Sequence, residues 1–312
     1  MIADNLNRIS LRAMGSGISI ALQAHGEQAS RPLAEAARWF HEVERCLGRF
    51  DPESDLCALN RASGSPMSVG PMLWEAIHIA IAAAEATDGL VTPTLLQAIE
   101  SAGYDCSFDN LPVAREEPAG QPPATNDFRK IALDESTRSV GLPAGMRLDL
   151  GGTAKGWAAD TIAARLAQHG PAQVDAGGDI AVSGPLSGNS PWKIAVASPH
   201  VPDEMLGVVA LVSGGIATSG RHYRRWQRHG VWQHHIIDPR TGEPAVTDVV
   251  SATVVARNAL AAEVAAKRVL IVGSQQGLAW LESEPALAGL VVVEDGTVIE
   301  SQRMRRYRSR LS

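Results

Sequence analysis

Cysteine is scarce in this chain. Cys46, Cys57 and Cys106 are the three in 312 residues. None sits in a C-x-x-C pair, which argues against a zinc site or a redox dithiol, and a small odd count fits a reducing compartment. Long apolar runs are missing too: no stretch of about 18 apolar residues occurs, so no membrane-spanning helix is expected. The opening MIADNLNRISLRAMGSG lacks the continuous apolar core of a signal peptide, and the expected location is cytoplasmic. Excess positive charge is also lacking. A formal net charge of −6 speaks against nucleic acid as the partner of the whole molecule. The exception is RMRRYRSR, from Arg303 to Arg310. Its plainest reading is a solvated tail, and an anionic partner or membrane surface is the other.

The usual nucleotide motifs are absent as well. There is no G-x-x-x-x-G-K-[ST], no G-x-G-x-x-G after a strand, no H-E-x-x-H and no G-x-S-x-G. Nucleotide chemistry, if present, has to use other parts.

What the chain does have is an ordinary globular composition, 45% hydrophobic and 20% charged. Its length allows a sizeable core without disulfide or metal staples. Helical spacing of apolar residues predicts helices over 32–47 (with Pro32 in the first turn), 72–86, 154–168, 259–271 and near 276–281. Strands are predicted at 17–23, 130–133, 138–142, 146–150, 172–175, 192–197, 208–212, 231–237 and 249–256. A last hairpin joins 290–293 to 297–300 through Asp295-Gly296. Prolines 112, 118, 122 and 123 with Gly120 mark a surface loop at about 104–128. Hairpins mixed with crossover helices argue for an α+β fold, a largely antiparallel sheet with packed helices, as a single domain over 1–312.

Several segments can carry chemistry. In RLDLGGTAKGWAAD, Arg147 to Asp160, a strand ends, two glycines follow and a helix opens. Free N–H groups at a helix start favour a phosphate, and Gly151 and Gly152 let a ligand approach the backbone. Lys155 in the first turn is unfavourable unless an anion is near. A plain strand–turn–helix corner explains the same letters. In QVDAGGDIAVSG, Asp175 and Asp179 flank another glycine pair, as ligand-lining carboxylates or as two capping side chains. In GGIATSGRHYRRW, Arg221, His222, Arg224 and Arg225 form a phosphate grip or a basic surface strand. In HHIIDPRTGEP, His235 can act as a general base or steer a ligand, with Asp238 three residues on. In NALAAEVAAKRVLIVG, Glu263 and Lys267 have the spacing and order of a solvated i,i+4 pair. Met14-Gly15, FDPESDLCALN (Phe50 to Asn60) and DGLVTPTL (Asp88 to Leu95) have the composition of turns and caps.

Together, from about Met14 to Gly273, these segments resemble the FAD:protein FMN transferases, the ApbE-type flavin transferases. The DLGGTAKGWAAD, DAGGDI, TSG…YRRW and HHIIDPRTG segments are specific as an ordered set. The resemblance implies an ApbE-like, T-fold-related α+β domain. It implies FAD as donor, and transfer of FMN to a Thr or Ser hydroxyl of an acceptor flavoprotein carrying an S/T-G-A-S/T-like sequence, with AMP released. No such acceptor sequence is found in this chain, which therefore resembles the enzyme rather than its target. Met14 is expected to pack on the flavin or adenine. Val91, Thr92 and Pro93 should line the FAD pocket, and Asp149, Lys155, Asp179 and Ile237 should contact FAD. His235 is the candidate for activating the acceptor hydroxyl or orienting the pyrophosphate. The family pattern also implies Mg²⁺ held by an Asp and a Thr of the late helix, assisted by a backbone oxygen near the glycine turn. Those positions here read Glu263, Lys267 and Gly152. A lysine has no lone pair to offer a metal. Either Lys267 serves as a built-in cation in the catalytic machinery, or transfer has been lost and the chain only binds flavin. An FAD hydrolase giving FMN and AMP is a further alternative.

Overall fold

The computed structural model describes residues 5–115 and 127–309. Residues 116–126, which include Pro118, Gly120, Pro122 and Pro123 of the expected surface loop, lie outside the described residues, as does Arg310. The chain forms two compact units. One combines the chain up to His41 with Lys155–Gly220 and the part from Thr247 onward; the other combines Glu42–Ala154 with Arg221–Val246.

The first unit is built on an eight-stranded sheet. Its strand order is Leu6–Ala13, Ser16–Gln23, Ala172–Ala176, Asp179–Val182, Gly214–Gly220, Val249–Ala256, Ala288–Val293 and Val298–Glu300. Every neighbouring pair is antiparallel. Two-residue connections with positive φ make this possible, at Met14-Gly15 (54° and 63°) and Gly177-Gly178 (69° and 95°). Such turns match the twist of the strands they join. All eight residues of Val249–Ala256 are buried, so this strand is covered on both faces, as its near-continuous apolar spelling requires.

One face packs on a three-stranded sheet, Trp192–Ala197, Met205–Leu211 and Arg308–Ser309. Ile216, Val255, Leu290 and Val292 of the large sheet meet Trp192, Ile194, Val209 and Leu211 of the small one. Each such apolar side chain contributes roughly 1.5–3 kcal/mol by leaving water. Trp192–Ala197 alternates buried and exposed, as a strand with one solvated face should. Helix Ala259–Val272 packs on the 214–220 and 249–256 strands. A Cβ on Gly215 would stand 2.1 Å from Ala259 N, so glycine there is what lets the helix come so close.

The basic C-terminal stretch is not a solvated tail. Arg303 donates to the Leu287 carbonyl at 2.9 Å and the Glu282 carbonyl at 2.9 Å, Met304 is fully buried, and Arg308 pairs with Glu300 at 2.7 Å. Arg303 and Arg308 fasten this stretch, Arg305 and Arg306 are exposed, and Arg308–Ser309 adds a strand to the small sheet.

The second unit carries helices Asp55–Arg61, Pro71–Ala86 and Leu96–Ser101 with small sheets. Its Trp226 is 1% exposed, packs on Tyr104 with ring centroids 5.5 Å apart, and donates its indole N–H to the Ala102 carbonyl at 2.8 Å. Leu95, Ile99 and Ile237 complete that core.

Four expectations need correction. The long helix runs Gly26–Leu47, so Pro32 lies inside it and not in its first turn. The carbonyl that loses its partner there belongs to exposed Gln28, where water can replace the missing N–H. The strand expected at 146–150 does not form. The Asn60 amide takes the place of a partner strand, with Nδ2 donating to the Leu148 carbonyl at 2.9 Å and Oδ1 accepting from Leu148 N at 2.7 Å. The strand expected over 231–237 is broken into Val231–His234 and Ile237–Asp238. Finally, the FDPESDLCALN stretch contains a helix, opened by Ser54, whose hydroxyl accepts from Cys57 N at 3.1 Å.

Candidate active site

In the first unit, four charged side chains from three elements meet. Lys155 stands in the first turn of helix Ala154–Leu166, Asp179 opens strand Asp179–Val182, and Glu263 and Lys267 lie one turn apart on helix Ala259–Val272. Lys155 Nζ pairs with Asp179 Oδ2 and lies 3.1 Å from Glu263 Oε1. Lys267 Nζ lies 2.7 Å from the same oxygen. Glu263 Oε2 accepts from Gly156 N at 2.9 Å. The Glu263 side chain is 0% exposed and that of Lys267 is 16%. The i,i+4 pair is therefore not a solvated surface pair. Spacing alone is blind to the strand and helix that cover it.

Electrostatics follows from this packing. Burial opposes the charge on Lys155, but Asp179 and Glu263 outweigh it and hold the ammonium above its ordinary range. Burial likewise opposes the charge on Glu263, but Lys155, Lys267 and the Gly156 N–H bring its pKa below the usual value. Asp179 is pushed the other way, first by burial and then by the Glu263 charge. The late helix is held in place by Asp160, whose two oxygens accept from Ala259 N at 2.8 Å and Leu260 N at 2.9 Å. A Cβ on Gly156 would stand 2.7 Å from Leu260 Cα, so that glycine permits the close helix crossing.

This donor set does not fit Mg²⁺. Magnesium demands octahedral oxygen coordination at about 2.0–2.1 Å. Both Glu263 oxygens already accept, one of them from two ammonium groups, and Asp179 is paired with Lys155. Among the described residues no cluster of three or more His, Cys, Asp or Glu side chains is arranged to hold a metal ion.

The adjoining glycine pair, Gly177-Gly178, is a structural turn. Asp175 Oδ1 accepts from Gly178 N at 2.8 Å, and a Cβ on Gly177 would stand 2.8 Å from the Ser16 side chain. Asp175 is thus the capping carboxylate, whereas Asp179 faces Lys155. Met14 is half-buried with φ +54°, a conformation that costs a branched or long side chain about 1–2 kcal/mol.

In the second unit the residues around the other glycine pair come together. Asp149 N donates to the Pro93 carbonyl at 2.8 Å, which pins the Val91–Pro93 turn to the Asp149 backbone. Thr87 anchors that turn from the other side, its hydroxyl accepting from Val91 N at 3.0 Å. Thr92 and Thr94 hydroxyls are 3.0 Å apart. Asp149 Oδ1 accepts from Gly151 N at 2.8 Å, and Gly151 is exposed. Neither Gly151 nor Gly152 has a left-handed backbone, and a Cβ on Gly152 would make only ordinary contact with Val91 at 3.8 Å. Packing within this unit does not require glycine at 152.

His235 lies half-buried in the break between the 231–234 and 237–238 strands. Its neighbour His234 is the structural histidine of the pair: Nε2 donates to the Ala245 carbonyl at 3.1 Å while Nδ1 accepts from Ile236 N at 3.3 Å. Burial pushes the His234 pKa down to about 4. Asp238 is held by Arg240 at 2.7–3.1 Å and by the turn that returns at Gly242, so it shapes the loop. Ile237 is 2% exposed and its side chain packs in the Trp226 core.

Sequence reasoning missed Arg49. Its guanidinium stacks over Phe50 (4.1 Å) and Tyr104 (4.4 Å), donates to the Tyr104 carbonyl at 3.0 Å, and its Nε lies 3.7 Å from Asp149 Oδ2. It lines a cleft of about 620 Å³ with Phe50, Cys57, Asn60 and Arg147. No local pattern signals a contact between residues so far apart in sequence.

An antiparallel sheet with packed helices, carrying a buried lysine–carboxylate cluster, makes this an α+β protein. The ApbE family model matches residues 14–291, and the chain belongs to that family. It is 32% identical over 296 residues to an FAD:protein FMN transferase of Treponema pallidum, spanning 86% of this chain and 81% of the relative. It is 28% identical over 290 residues to one of Vibrio cholerae, spanning 90% and 86%. Among solved structures, the ApbE protein of Thermotoga maritima superimposes with a TM-score of 0.88 at 25% identity, covering 98% of this chain and 100% of that one.

Proposed function

We propose that this protein takes FAD as donor and transfers its FMN half to a hydroxyl of an acceptor protein, releasing AMP. The observation that carries this is the family match over residues 14–291, together with relatives that are FAD:protein FMN transferases. In the step itself, the acceptor oxygen attacks the FMN-side phosphorus and the bond to the AMP-side oxygen breaks. The hydroxyl proton passes to a base, and the leaving charge ends on AMP. Negative charge develops on phosphoryl oxygens, so the reaction needs fixed positive charge and aimed N–H groups.

Roles are assigned residue by residue. The half-buried Gly152 suits the approach of a phosphate, since packing does not demand its side-chain-free backbone, while the neighbouring Gly151 N–H is held by Asp149. Asp149, positioned by Pro93 and Arg49, contacts FAD, and Val91, Thr92 and Pro93 line the flavin pocket. Lys155 supplies an ammonium that its carboxylate neighbours keep charged. Met14 packs on a ring of FAD, which gives its strained backbone a purpose. His235 takes the proton of the acceptor hydroxyl, and the acceptor carries an S/T-G-A-S/T-like sequence.

Mass spectrometry of such an acceptor after incubation with FAD tests the reading. The expected result is one added FMN per acceptor and matching AMP. AMP released without any acceptor would instead indicate hydrolysis. A His235→Ala variant retaining full transfer would remove the base from the scheme.

A further inference from the structure

Resting on that reading of the site, we propose that the Lys267 ammonium is the cation of this active site and that flavinyl transfer by this chain needs no divalent metal. Three observations point there. Lys267 Nζ sits 2.7 Å from Glu263 Oε1, the contact distance of a charge-assisted hydrogen bond. The carboxylate it contacts has its remaining oxygen committed to Gly156 N. The four side chains also balance: Lys155 and Lys267 carry two positive charges, and Asp179 and Glu263 carry two negative charges when ionised. A divalent ion would have to break the Glu263 contacts to both ammonium groups inside a dry cluster and then stand beside Lys267 with no lone pair offered to it.

The position is fixed as well as charged. Helix Ala259–Val272 places Glu263 and Lys267 one turn apart in the favourable order, with acid N-terminal to base. Asp160 and Asn258 cap its start, Asn258 accepting from Ala261 N at 2.8 Å. The Lys267 side chain keeps 16% of its surface open, whereas its partner Glu263 keeps none. An ammonium held this way presents fixed positive charge without having to be recruited from solution, which is what a developing phosphoryl charge requires.

Calorimetry and turnover on the intact protein decide the matter. Mg²⁺ titrated into the wild type, with and without saturating FAD, is expected to give no binding heat. FMN transfer to an acceptor in EDTA is expected within about twofold of that in Mg²⁺. Lys267→Thr, which replaces the ammonium by an oxygen, is expected to fall about tenfold or more in EDTA and to recover with Mg²⁺. Wild-type activity that vanishes in EDTA and returns with Mg²⁺ overturns the proposal, and so does stoichiometric Mg²⁺ binding that Glu263→Gln abolishes. The wild-type arms need no variant to fold. If the protein binds FAD but labels no acceptor, the transferase reading fails, and the Mg²⁺ titration of the FAD-loaded protein still decides the metal question.

Discussion

Two turns of nearly identical spelling, Asp149-Leu150-Gly151-Gly152 and Asp175-Ala176-Gly177-Gly178, have different reasons for their glycines. In both, the leading aspartate caps a glycine N–H at 2.8 Å. At Gly177 the backbone is left-handed and a Cβ would strike Ser16, so local structure demands glycine. At Gly152 the backbone is ordinary and a Cβ would fit. A glycine that packing requires says nothing of ligands. One that packing does not require keeps open the space a side chain would fill, which lets a phosphate approach the backbone. The side chains after the turns, Lys155 and Asp179, pair with each other and belong to the cluster centred on Glu263.

The largest expected effect probes the structural side of this contrast. Glu263→Ala removes the acceptor of two ammonium groups and one N–H inside a dry cluster, and should cost about 3–5 kcal/mol of stability by denaturant unfolding. A loss near zero would mean that the cluster is solvated. Next comes pH. The His234 pKa is depressed from 6.5 to about 4 in the fold, so the unfolded chain binds the extra proton. Stability from this group is complete above pH 6.5 and drains away as the pH falls through 4, by roughly 3 kcal/mol in all. His234→Gln should flatten that part of the stability–pH curve, and an unchanged curve would refute the assignment.

The two glycines can then be set against each other. Gly177→Ala is expected to lose about 1–3 kcal/mol, from strain at φ +69° and the Ser16 clash. Gly152→Ala should stay within about 0.5 kcal/mol of wild type while weakening FAD binding roughly tenfold. Equal stability losses at the two sites would erase the distinction. The smallest effect concerns the hairpin at the sheet edge. Met14→Asn, a residue more at ease at φ +54°, should stabilise by about 1 kcal/mol and weaken FAD binding, both measurable in one thermal-shift series with and without FAD.

Much of the sheet was legible in the sequence because its signals are local. Asp295-Gly296 announces a hairpin, and the apolar run 249–256 is a fully buried strand. The Asp-x-Gly-Gly turns are visible for the same reason. What escaped depends on partners far along the chain. The Asn60 amide replaces a strand at Leu148, Arg49 reaches Asp149, and Asp179 and Lys155 turn a surface-like Glu263–Lys267 pair into a buried network. Spacing on one helix fixes which side chains are neighbours and leaves open what covers them. That is why the Glu263–Lys267 pair was visible in the sequence while its buried setting was not.

The most direct measurement is the mass of an S/T-G-A-S/T-type acceptor protein after incubation with this enzyme and FAD, with AMP followed in parallel. The account predicts one FMN added per acceptor chain and an equal amount of AMP. An acceptor of unchanged mass, in the presence of bound FAD, would contradict it.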